Sequence, residues 1–157
     1  MRLQRLAIST LLASALGNAL ATVVNQSGVV RADSAVERDG YVILSGGSRG
    51  VTRVAGRVQS NGLAPGLRGG QIQVLGDKVE LASAAQIDAS GMAGGGSILV
   101  GGDYQGKNAL VQNASRTHVA AGATVRADAT QSGDGGQVVV WADGDTKHLG
   151  RIRARGG

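Results

Sequence analysis

The sequence predicts an all-β fold, a parallel β-solenoid (β-helix) of about four to five coils, and three observations predict it. The first is recurrence: Val30-Arg31-Ala32, Val58-Gln59-Ser60, Ile87-Asp88-Ala89, Val125-Arg126-Ala127 and Ile152-Arg153-Ala154 repeat one small unit, with β-branched anchors 28, 29, 38 and 27 residues apart. The second is order within the unit. A glycine pair (Gly69-Gly70, Gly95-Gly96, Gly135-Gly136) follows each of the middle three anchors, and an aliphatic stretch follows the pair. The third is composition: 27 Gly, one Pro, no Phe and 2% aromatic residues, against 42% hydrophobic residues overall. Bulky rings that fill an ordinary core are missing, while the Val, Ile and Leu that suit a pleated half-buried surface are plentiful.

Taken in chain order, residues 1–21 open with Arg2 and Arg5, an apolar run from Leu6 to Leu16, and Ala19-Leu20-Ala21. That is the pattern of a signal peptide cleaved after Ala21, and the run is too short to cross a bilayer as a helix. The competing reading makes this stretch a non-native N-terminal extension, with the first coil already begun near Asn18. Residues 22–157 form the repeat segment. Its strands are Tyr41-Val42-Ile43-Leu44, Gln71-Ile72-Gln73-Val74, Lys78-Val79-Glu80-Leu81, Ser97-Ile98-Leu99-Val100 and Gln137-Val138-Val139-Val140. Ile72 with Val74, and Val79 with Leu81, alternate at the strand period, so one aliphatic face points inward. Units this short cannot bury that face alone, but stacking gives every strand a parallel neighbour and one continuous core. At about 4.8 Å per coil the rod is about 25 Å long. Glycine at the corners is expected to supply bends and positive φ angles. An antiparallel sandwich would explain the strands but not their recurring order, and no amphipathic helix supports a βαβ fold.

The 38-residue interval carries about ten extra residues, tolerated most easily as a loop leaving the rod. The polar run near residues 103–118, including Asp103-Tyr104-Gln105-Gly106-Lys107-Asn108 and Gln112-Asn113-Ala114-Ser115-Arg116-Thr117, reads as that loop. Leu110 and Val111 are expected to pin it onto a neighbouring turn.

Absences narrow the chemistry. Zero cysteine excludes disulfides, thiolate metal sites and thiol catalysis. The net charge of +5 comes from basic residues scattered along the chain, Arg31, Arg53, Arg57, Lys78, Arg116, Arg126 and Lys147 among them, without interleaved aromatics. No specific nucleic acid is therefore expected as a partner. Asp88 and Asp128 occupy similar places in successive units, as do Asp103 and Asp143, and glycoside hydrolysis needs two carboxylates facing each other. At turn edges such residues are more often solvated turn formers. His118 and His148 lack a cysteine or acidic companion. Ser132-Gly133-Asp134-Gly135-Gly136 resembles calcium-binding turns in composition alone, and no serine occupies a Gly-x-Ser-x-Gly elbow. Gly94-Gly95-Gly96 lacks the Gly-Lys-Ser/Thr of a phosphate loop. Trp141 is assigned to packing, covered by the inserted loop, rather than to ligand capture. No catalytic, cofactor-binding or metal residue is assigned, and no cofactor or small-molecule substrate is expected.

From Gly91 onward the chain resembles the repetitive shaft of filamentous-haemagglutinin-like large exoproteins, the secreted members of two-partner secretion systems. The segments that carry the resemblance are Gly101-Gly102-Asp103-Tyr104-Gln105-Gly106 and VVVWADGD, Val138 to Asp145; upstream, Asn25-Gln26-Ser27-Gly28-Val29-Val30-Arg31-Ala32 is similar to a turn of the same shaft. The resemblance implies a right-handed parallel β-helix that is secreted through an outer-membrane pore, exposed at the cell surface, and adhesive toward host or bacterial surface glycans or proteins. The family's Asn-Pro-Asn-type secretion motif has no counterpart, because the only proline, Pro65, stands in Leu63-Ala64-Pro65-Gly66. Family members are much longer, so the chain is expected to be a fragment or a truncated reading frame, adhesive rather than enzymatic; a polysaccharide-modifying β-helix enzyme is the alternative.

Overall fold

The computed structural model describes residues 8–12, 23–32 and 40–157. Among the described residues, fifteen short strands make five coils of three strands each: β1 (Ile8–Leu12), β2 (Val23–Gln26) and β3 (Val29–Arg31); β4 (Tyr41–Ser45), β5 (Val51–Val54) and β6 (Arg57–Gln59); β7 (Gln71–Leu75), β8 (Lys78–Leu81) and β9 (Gln86–Asp88); β10 (Ser97–Val100), β11 (Arg116–Val119) and β12 (Thr124–Arg126); β13 (Gln137–Val140), β14 (Asp145–His148) and β15 (Arg151–Arg153). Every third strand joins the same sheet, which gives β1-β4-β7-β10-β13 (sheet A), β2-β5-β8-β11-β14 (sheet B) and β3-β6-β9-β12-β15 (sheet C). All described pairings are parallel. This is the expected parallel β-helix. Apart from Ile8–Leu12, the stretch assigned to a signal peptide or extension lies outside the described residues.

The five anchors read from sequence form one register column, Val30, Val58, Ile87, Val125 and Ile152, in the middle of sheet C. Val42, Ile72, Ile98 and Val138 do the same in sheet A. Their inward side chains meet those of Val54, Leu81 and Val119 from sheet B in one aliphatic core. Each fully buried Val, Ile or Leu contributes about 1.5–3 kcal/mol relative to exposure. The core is open to water at its last coil, where Ile152 is 41% exposed.

Gln26, Thr52 and Thr117 are buried polar residues at inward positions of sheet B. Thr52 and Thr117 are fully buried, and their hydroxyls donate to the carbonyls of Leu75 (2.6 Å) and Trp141 (2.7 Å) at the corner of the next coil. Leu75 O also accepts the Gly46 N–H at 3.1 Å, so Thr52 is its second donor; buried carbonyls are almost always paired.

The corner glycines are of two kinds: Gly47, Gly101 and Gly122 take the expected positive φ, and those before sheet A do not. Gly40, Gly70, Gly96 and Gly136 stack at the entrance to sheet A, where Gln71 N–H donates to Gly40 O, Ser97 N–H to Gly70 O and Gln137 N–H to Gly96 O. None of these four has a left-handed φ. A Cβ on Gly96 would stand 1.9 Å from Gly70 O, and one on Gly136 2.0 Å from Gly96 O. Glycine is required there because one coil's backbone presses on the next, not because the chain bends through positive φ.

Candidate functional site

The 38-residue interval is an irregular excursion between β10 and β11. It ends at Ser115, short of residue 118, because Arg116–Val119 add to sheet B as β11. Its backbone makes one 3-10 turn at Tyr104–Gly106, capped by Asp103. The Asp103 carboxylate accepts the Tyr104 N–H at 2.7 Å and the Asn108 amide at 2.8 Å. The Asn108 amide, followed by the Tyr104 N–H, holds the carboxyl below the usual aspartate range. Farther along, Gln112 Nε2 donates to Gly47 O at 2.9 Å, two coils down the rod.

Val111 pins the excursion and Leu110 does not. Val111 is buried with Leu75, Leu99 and Val139, a second apolar cluster on the outer face of sheet A. Leu110 is 95% exposed. Only one of two adjacent side chains can turn toward the rod, and the sequence does not say which.

The two most distinctive segments, GGDYQG and VVVWADGD, meet in space. The Trp141 indole lies against Gly102 and Gly106: a Cβ on Gly102 would stand 3.0 Å from Trp141 Cδ1, and one on Gly106 2.9 Å from Nε1. Nε1 donates to Asp143 Oδ1 at 3.0 Å, and Asn113 Nδ2 donates to Gly106 O at 3.0 Å. Trp141 is thus half-buried beneath the excursion. Asp103 and Asp143, candidates for a facing pair, are each occupied locally.

Asp88 and Asp128 are not equivalent positions. Asp88 stands in register with Arg126, whereas Asp128 follows that strand and stacks over Ser90, since Gly91 bridges to Ala129. The triplets Ile87-Asp88-Ala89 and Val125-Arg126-Ala127 align, which sets Asp128 two places beyond Asp88's row. The two carboxylates do share a neighbour. Arg126 Nη1 lies 4.0 Å from Asp88 Oδ2, and Arg126 Nε 3.6 Å from Asp128 Oδ2.

Asp128 is 3% exposed. Burial raises its pKa, but the Arg155 N–H, the Arg153 guanidinium and the charge of Arg126 together bring the carboxyl below the ordinary value. Protonating a glycosidic leaving group needs the reverse, a carboxyl held neutral by its surroundings. Contrary to the sequence expectation, His118 does have an acidic neighbour, standing in register between Glu80 and Lys147, whereas His148 pairs with Val119. Among the described residues no group of three His, Cys, Asp or Glu is placed to hold a metal ion.

Because alternate residues of every strand face outward, the rod has three chemically distinct faces. Sheet A presents Tyr41, Gln71, Ser97 and Gln137, without charge. Sheet B balances Arg53 against Glu80 (3.3 Å) and Arg116 against Asp145 (3.9 Å). Sheet C is basic. Its outward columns are Val29-Arg57-Gln86-Thr124-Arg151 and Arg31-Gln59-Asp88-Arg126-Arg153, five arginines against one aspartate. A depression of about 380 Å³ runs along this face. Arginines that are scattered in sequence are gathered here.

No protein-family model matches the chain, and no curated protein does. Among solved structures, it is similar to the crystal structure of the HMW1 secretion domain from Haemophilus influenzae, with a TM-score of 0.77 at 30% sequence identity. The chain resembles a secretion domain. The likeness covers 87% of this chain and 35% of that one, so the chain spans about a third of the length of the solved domain.

Proposed function

We propose that the chain is a β-helical shaft segment of a secreted, surface-exposed, haemagglutinin-like exoprotein of the two-partner type, exported through an outer-membrane pore, which mediates adhesion and catalyses no reaction. The observation that carries this reading is the 30% identity, at a TM-score of 0.77, to a domain whose own role is secretion. The physical character of the coil supports it. Zero cysteine leaves no disulfide to obstruct passage of an extended chain. A solenoid whose coils contact only their neighbours can fold one coil at a time as it emerges. Parallel backbone pairing in three sheets gives a stiff rod, and its loops and faces are what it displays.

The chain joined downstream of the solved secretion domain, in cells carrying the outer-membrane pore that exports that domain, is expected to become accessible to added protease at the cell surface. Beads coated with the purified chain are expected to adhere to epithelial or bacterial surfaces several-fold above beads coated with albumin. Retention inside the outer membrane, or adhesion at background, would overturn the reading. Release of reducing sugar from a polysaccharide panel, abolished by Asp88→Asn, would favour the enzyme instead.

A further inference from the structure

We infer that the outer face of sheet C is a binding surface for a linear polysaccharide bearing carboxylates, a polyuronate. The inference deepens the adhesive reading by naming a ligand class, and it rests on that reading. It stands on three features of the face. The first is asymmetry: sheet A carries no charge on its outward strand positions, sheet B sets Arg53, Lys78, Arg116 and Lys147 against Glu80 and Asp145, and sheet C sets five arginines against Asp88, with Arg57, Arg126, Arg151 and Arg153 around one depression. A protein that needed only solubility would not segregate charge in this way.

The second feature is repetition. Register places the outward positions of sheet C one coil apart along the rod, about 4.8 Å. Arg126 and Arg153 are on adjacent coils, and Arg57 and Arg151 lie at opposite ends of the depression, three coils apart in the same column. A single small anion would reach one or two of these guanidinium groups, whereas a polymer with anions recurring along its length spans the row from Arg57 to Arg151. The groove follows the strand stack, so the polymer would lie along the rod axis.

The third feature is the kind of anion. The guanidinium fork matches a planar carboxylate, and an arginine–carboxylate contact already exists at this face, where Arg153 Nε and Nη2 both donate to Asp128 Oδ2. Gln86 and Asp88 stand between the arginines in the depression and offer amide and carboxylate partners to sugar hydroxyls. No aromatic ring lines the depression for the base stacking that a single-stranded nucleic acid would use. A polyuronate, with hydroxyls and carboxylates in alternation, satisfies both sets of groups.

The test uses the full chain with polygalacturonate as the probe, and dextran, dextran sulfate and duplex DNA of matched length as comparisons, at low and physiological salt. Arg57 and Arg151 are exposed and do not hold Asp128, so Arg57→Gln/Arg151→Gln removes charge from the groove without opening the fold; circular dichroism and a thermal melt check this. Polygalacturonate is expected to bind, dextran not at all, and the double variant about tenfold more weakly or worse. Arg53→Gln/Arg116→Gln on sheet B is expected to bind like the parent. No polygalacturonate binding, tighter binding of dextran sulfate or DNA, or equal loss in the sheet B variant would each overturn the inference. Undiminished bead adhesion by Arg57→Gln/Arg151→Gln would overturn it while leaving the shaft reading intact. Polygalacturonate binding by a chain that shows no surface adhesion would sustain the inference and sink that reading alone.

Discussion

The backbone N–H of Asp128 donates to the hydroxyl of Ser90, one coil earlier, at 3.1 Å. The relationship recurs up the rod: Ser90 N–H donates to Asn61 Oδ1 at 3.2 Å, and Arg155 N–H to Asp128 Oδ1 at 2.9 Å. Asn61, Ser90 and Asp128 therefore form a side-chain ladder at the exit from sheet C, each accepting a backbone donor from the coil above. Asp128 is a structural rung whose charge also secures Arg153.

Asp128→Asn keeps an oxygen for the Arg155 N–H but leaves Arg153 and Arg126 without their buried counter-ion. It is expected to cost about 1–3 kcal/mol in denaturant unfolding at neutral pH. The folded carboxyl titrates below its unfolded value, so the stability it provides is fully present above about pH 4 and is lost as pH falls through the depressed value. The parent's stability should therefore decline below about pH 4 more steeply than the variant's. Parallel pH profiles for the two would rule out this role.

Gly96→Ala tests the glycine ladder. The added methyl would meet Gly70 O at 1.9 Å, so backbone must move. A loss of about 3 kcal/mol or more is expected, beyond the usual overpacking cost of a flexible site. Gly66→Ala makes a useful contrast: its φ of +81 strains an alanine, yet nothing lies within 4 Å of the added Cβ. Its cost should stay near 1 kcal/mol. Similar melts for both variants would remove the close-approach argument.

Val111→Asp places a charge in the cluster of Leu75, Leu99 and Val139, and the excursion should lift from the rod. Limited proteolysis is expected to cut between residues 101 and 115 much faster than in the parent, with Trp141 fluorescence shifted to longer wavelength as its cover leaves. Leu110→Asp, at a 95% exposed position, should change neither.

Thr117→Val removes the hydroxyl that donates to Trp141 O while keeping the shape of the side chain. Unfolding experiments should find a loss of about 1–2 kcal/mol, the cost of one buried carbonyl left without its partner. An unchanged midpoint would mean that the corner carbonyl finds another donor.

Several of these positions were legible in the sequence and several were not. The five anchors were legible because an inward column tolerates little besides Val and Ile, so the same residue type returns once per coil. The glycine corners were legible as positions but not as a mechanism, since a close approach between coils and a left-handed turn both select glycine. Asp88 and Asp128 were matched by their distance from a repeat centre. Register shows them offset, because side chains two residues apart along a coil occupy different rows. The inward threonines gave no signal, since Thr alternates with Val in exposed strands as well.

By itself, the order of amino acids determined that this chain winds into a β-helix and which residues stack, because a narrow aliphatic interior and crowded corners impose their requirements locally and once per coil. Only the tertiary structure decided what the outside of the rod carries. Arg57, Arg126 and Arg151 are far apart along the chain, and Gly102 and Gly106 stand a full coil before Trp141; each set becomes contiguous only when coils of unequal length are laid one on another. Outward side chains bear no packing constraint that would repeat in the sequence, so their companionship is a property of the stacked rod alone.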